Sequence, residues 1–151
     1  MRGISLLFIL AVSVFISASG ETAAAAFAQK AVPRALDYEQ GKRPTLMDAQ
    51  DDFTVEGWSE LMKWLAGFID DKGAPTGRSV FTATGEMIVR SSENGVTRLA
   101  IPGTLKQAQN LYGGTPFSAT TYRVLVAVEV GGSPPKIHHL KTTTCVPAPC
   151  R

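Results

Sequence analysis

Three groups of side chains are of types that can do chemistry. His138 and His139 stand side by side in "KIHHLK", and imidazoles bind metals and exchange protons near neutral pH. Neighbours on a strand point to opposite faces, so these two are not expected to share one metal. Structural or surface roles are expected for both. Cys145 and Cys150 are the two cysteines, in "CVPAPC". In an exported chain they are expected to pair with each other. A redox dithiol is spaced C-x-x-C at a helix start, and a zinc site needs further ligands. So short a closed loop stabilises by only ~2 kcal/mol, and it would stiffen a tail that also holds Pro147 and Pro149. Asp48, Asp51 and Asp52 cluster in "DAQDDF". A calcium loop alternates its oxygens about a central glycine and ends in glutamate. That pattern is missing, and the carboxylates suit a linker and a helix start. The sequence has no G-x-S-x-G elbow and no glycine-rich phosphate loop. No catalytic residue, metal ligand or cofactor is assigned, and an enzyme is not expected.

The beginning of the sequence bears on compartment. Arg2 precedes the uncharged run Ile4 to Ile16, and the small residues "SASG" follow. This is the layout of a signal peptide over residues 1–20. The run is shorter than the roughly twenty residues that a spanning helix requires. Cleavage is expected close behind Ser19 or Gly20, with "AFA" ending at Ala28 as the alternative. The product would be secreted and extracellular, or periplasmic in a bacterium. No later stretch is apolar enough to span a membrane. The 15 cationic and 13 anionic residues are dispersed, which excludes the concentrated basic footprint of nucleic-acid binding.

These side chains must be positioned by regular elements. Residues 21–52 read as an N-terminal arm, partly helical through "AAAAFAQKA" and interrupted by Pro33. Residues 53–146 read as a single domain, and 147–151 as its disulfide-pinned tail. Thr54 is a good N-cap. Behind it Val55, Trp58, Leu61, Met62, Leu65, Phe68 and Ile69 recur at helical spacing towards Gly73. From Gly77 the period becomes that of strands. Asn94-Gly95 marks a hairpin turn that would pair Ser92 with Thr97, Arg90 with Leu99 and Ile88 with Ile101. Pro102-Gly103 is expected to end that strand, and "TLKQAQNLYGG" to form a short helical turn. Tyr122 to Val130 reads as a central strand, "GGSPP" as a turn, and Lys136 to Thr144 as a polar edge strand. The fold class is α+β, one main amphipathic helix on a four- to five-stranded antiparallel sheet.

The closing hairpin "TTYRVLVAVEVGGSPPKIHHLKTTTC" resembles that of the cystatin superfamily. The segment "AAAFAQKAVPRALDYEQGKRP" is similar to the single long helix of cystatins and latexin-like proteins. The resemblance implies a secreted, non-catalytic protein that binds another protein, as a divergent protease inhibitor would. The family's Q-x-V-x-G wedge is replaced by Phe117, Ser118, Ala119, Thr120 and Thr121, so no inhibitory residue carries over. A helix ahead of several long strands is also similar to NTF2-like proteins. That alternative implies a small-ligand or enzyme pocket between helix 54–72 and the sheet. A structural protein of the extracellular matrix or cell envelope is the third expectation.

Overall fold

The structure, a computed structural model, describes residues 4–42, 45–109 and 120–145, with side chains for 20–42, 45–108 and 120–145. Helix α1 (Ile4–Leu36) is followed by β1 (Tyr38–Glu39), a 3-10 helix (Leu46–Asp52) and α2 (Val55–Trp64). Then come β2 (Gly77–Ala83), β3 (Ile88–Glu93), β4 (Val96–Gln109), β5 (Thr120–Gly131) and β6 (Lys136–Thr144). The sheet is antiparallel, in the order β1-β2-β4-β5-β6, with β3 also paired to β4. The α+β fold is as the sequence predicts.

The arm is more ordered than its composition implies. Alanines and other straight formers carry α1 past Pro33 to Leu36. Ala24, Ala28, Ala31, Val32, Ala35 and Leu36 recur at helical spacing and are buried in the core. Their small size lets the helix lie close to the sheet. Proline ends a helix mainly by losing one hydrogen bond and crowding the preceding turn. Here it falls in the last turn, and burial of Leu36 holds that turn in place.

Helix α2 is shorter than expected. Thr54 caps it, its hydroxyl accepting from the Gly57 amide at 3.1 Å. Leu65 is the C-cap, and a sequence of turns carries the chain through Phe68 to Ile69. Glycine within "LAGF" costs about 1 kcal/mol in a helix interior, which favours stopping before it. Gly73 does take a left-handed φ of 78°. It serves the turn in which the Asp70 carboxylate accepts from the Lys72 and Ala74 amides, not a helix end. Leu61 and Leu65 are buried, whereas Val55 is 82% exposed, so it leaves the expected stripe. Its place is taken by Gly57, one turn before Leu61.

The second strand of the Asn94-Gly95 hairpin, β4, runs further than predicted. β4 continues through Pro102 to Gln109, so residues 104–109 are strand, not helical turn; Asn110 to Gly114 lie outside the described residues. Pro102 is tolerated for a local reason. Its carbonyl accepts from the Thr84 amide at 2.9 Å, so its missing N–H faces the same side. On that side β2 has ended at Ala83 opposite Gly103, and β3 begins at Ile88 opposite Ala100. The proline therefore meets a gap in the ladder. Asn94 and Gly95 make the expected turn with φ of 53° and 75°, and Ser92 pairs Thr97. A bulge at Arg90 then shifts the register. Val89, not Arg90, faces Leu99, and Ile88 faces Ala100. On β5, Val124, Val126, Val128 and Val130 are all buried on the helix side.

Candidate functional site

Among the described residues, those singled out in the sequence do not converge. His139 Nδ1 lies 2.7 Å from Glu60 Oε2 on α2. His138 is the bulge residue of β6, since Glu129 pairs His139 and Val130 pairs Ile137. Its ring sits over Gly131. The two imidazoles thus meet different neighbours. The acidic cluster builds the 3-10 helix and its anchors. Asp48 Oδ2 accepts from the Thr45 amide at 2.5 Å, Asp52 pairs with Arg34 of α1 at 2.9 Å, and the Asp51 carbonyl accepts from Lys136 Nζ. Cys145 follows β6, its amide bonded to the Arg123 carbonyl at 2.8 Å. Its expected partner Cys150 lies outside the described residues.

The fold does form a groove beside α1. Thr22, Ala25, Ala26, Gln29 and Pro33 form one wall, and Phe81, Ala83, Met87 and Ile101 the other. Its volume is about 470 Å³ and its surface is mainly apolar. Concave apolar sites of this size take small ligands or partner side chains. The pocket thus lies at the first helix, whereas the NTF2-like reading places it at helix 54–72. A second, more polar cleft of about 490 Å³ flanks α1 on its other side, between Gly20, Ala23 and Ala24 and the two hairpin turns at Asn94 and Gly132.

The chain that leaves α1 decides where the groove ends. Asp37 Oδ1 accepts from the Phe81 amide at 2.5 Å. Tyr38 pairs with Ser79 and Glu39 with Arg78, and the Gln40 amide donates to the Gly77 carbonyl. The outer edge of β2 is thereby covered up to Phe81. Past Ala83, the segment 84–93 has no strand beyond it among the described residues.

Tyr38 is the buried bolt of this closure. Its ring is in the core, and its hydroxyl accepts from Gln107 Nε2 at 3.3 Å. Burial pushes the phenol from 10.0 up to about 12, while Ser79 and Gln107 act the other way. The folded state therefore favours the neutral phenol. The associated stability is whole below pH 10 and is lost as pH rises towards 12. Over that interval the wild type is expected to lose up to about 2.5 kcal/mol relative to Tyr38→Phe. Urea unfolding of both proteins at each pH reads the difference. Parallel curves would show that the hydroxyl is not buried.

The comparisons with known proteins bear on this architecture. No protein-family model and no curated protein sequence matches the chain. Two solved structures are similar to it. One is CagV from Helicobacter pylori, a VirB8 homolog of T4SS, with a TM-score of 0.57 at 15% identity over 83% of this chain and 99% of that one. The other is an IcmL-like type IV secretion system protein from Legionella pneumophila, with a TM-score of 0.61 at 15% identity over 84% of this chain and 94% of that one. At this identity the likeness is one of fold.

Proposed function

We propose that this chain is a non-catalytic interaction domain of the cell envelope that works within a type IV secretion-like assembly. The observation that carries this reading is the shared fold, which covers 99% of one solved secretion-protein chain and 94% of the other. The helix-against-sheet layout fits the NTF2-like alternative. His139, Glu60, Arg34 and Asp52 join elements of the chain to one another, so these side chains serve the fold. The apolar run at the N-terminus would direct the domain to the periplasmic side. Protein partners are expected, as neighbouring parts of the assembly.

Deleting the chain from its source cell is expected to abolish type IV secretion there while growth continues. Re-expression from a plasmid is expected to restore it. Secretion at the parental level after deletion would refute the proposal.

A further inference from the structure

The groove beside α1 owes its shape to short side chains. Ala25, Ala26 and Pro33 share one stripe of the helix with Thr22 and Gln29, and they are too short to close the gap to Met87 on the other wall. Phe81 and Ile101 form the floor. Both lie on the helix side of the sheet, since Phe81 pairs with the buried Leu105 and Ile101 with the buried Val126.

Its dimensions select the occupant. The stripe from Thr22 to Pro33 makes the groove about 16 Å long, at the helical rise of about 1.5 Å per residue. Spread over that length, the volume of about 470 Å³ leaves a mean section of about 30 Å². An α-helix about 10 Å across would need about 80 Å². An extended peptide takes about 47 Å², the product of the spacings between strands and between sheets. A hydrocarbon chain, whose carbons touch their neighbours at about 4–4.5 Å, needs about 20 Å².

Polarity selects in the same direction. A peptide laid along the floor would turn backbone N–H and C=O groups towards Phe81 and Ile101, whose side chains offer no partner, and buried unpaired backbone groups are costly. A hydrocarbon chain has no such groups. Met87 is flexible and unbranched, so the far wall adapts to what lies against it. Two residues on, Val89 pairs with the buried Leu99 yet is 43% exposed, which extends the apolar surface. Glu86 is the charged residue of the lining, and it is exposed. No ion pair joins it to another described residue. A carboxylate there attracts an ammonium group and repels an anionic one.

We propose that the groove holds one acyl chain of an aminophospholipid, with the ammonium group of its head beside Glu86. This rests on the envelope location proposed for the domain and not on a part in secretion.

Native mass spectrometry of the full chain tests it, with lysophosphatidylethanolamine as the probe and the bile-salt detergent CHAPS as the solvent. CHAPS has a rigid sterol body and no long alkyl chain to compete for the groove. One adduct per chain is expected at micromolar lipid. Lysophosphatidylglycerol with the same acyl chain should bind about three- to fivefold more weakly, the range of an exposed ion pair. Glu86→Gln should erase that difference without weakening lysophosphatidylglycerol. Ala26→Phe sets a ring into the groove and should weaken both lipids at least about tenfold. Ala23→Phe, also exposed but on the other flank of α1, should leave both unchanged. Thermal unfolding of each variant close to that of wild type separates a filled groove from a lost fold. The absence of an adduct, a head-group preference indifferent to Glu86→Gln, or equal effects of the two phenylalanine variants would each overturn the proposal. Equal competition by an extended apolar peptide would overturn it as well.

Discussion

Gly57→Ala is expected to destabilise the folded domain by about 2–4 kcal/mol, although the same change in a free helix would stabilise it by about 1 kcal/mol. The sign is decided by what lies across from α2. A Cβ at Gly57 would sit 2.6 Å from the Ile137 carbonyl oxygen and 2.8 Å from that of His138. Both are backbone atoms of β6, so no side-chain rotation can make room. The Ile137 carbonyl already accepts from the Thr54 amide at 2.9 Å, at the entry to the same helix. Lifting α2 to admit a methyl group would break that bond. It would also loosen Leu61 from the core and strain the edge-on contact of Phe53 with Trp58, whose ring centres are 5.5 Å apart. Urea unfolding of the variant gives the answer directly. A midpoint equal to or above wild type would mean that α2 is not seated on β6 in solution.

That glycine marks how far the sequence can be read. Helical spacing exposes the stripe of Leu61 and Leu65, and alternation exposes the valines of β5, because both depend only on local period. The α+β class follows from their order. Gly57 also lies on the buried face by spacing, one turn before Leu61. With no side chain it adds nothing to an apolar stripe, whereas Val55 does. The rule that finds it is that a glycine on a helix's buried face marks a close backbone approach. Bulges are not legible. Nothing in "IVRSSE" or "KIHHL" announces the extra residue at Arg90 or His138, since each depends on the partner strand's register. Pro102 misleads for a similar reason. It breaks a ladder only where its N–H is required, and the gap between β2 and β3 is a tertiary fact. The groove is equally hidden. Which apolar residues stay uncovered depends on where α1 stops covering the sheet, and Val89 has the same local pattern as a core residue.

A chain beginning at Glu21 is expected to melt within a few degrees of the full-length protein, while one beginning at Gln29 should lose at least about 3 kcal/mol, roughly 10 °C or more in Tm. The two starting points correspond to the two cleavage positions expected from the sequence. In the structure α1 is continuous from Ile4 to Leu36, so it passes through both sites. They differ in what they remove. Ala24 is the first buried residue of the described side chains, and Ala28 is wholly buried. A cut behind Gly20 leaves every one of these contacts. A cut behind Ala28 deletes Ala24, Ala28 and the Thr22–Ala26 wall of the groove. Eight residues of helix would remain, Gln29 to Leu36, with Pro33 among them. So short a helix is not stable alone in water. Phe81 and Ile101, both nearly buried, would then face solvent on the groove side, and each such side chain contributes about 1.5–3 kcal/mol when buried. Thermal unfolding of the two chains distinguishes the cases, and equal melting temperatures would mean that the first two turns of the arm do not pack on the sheet.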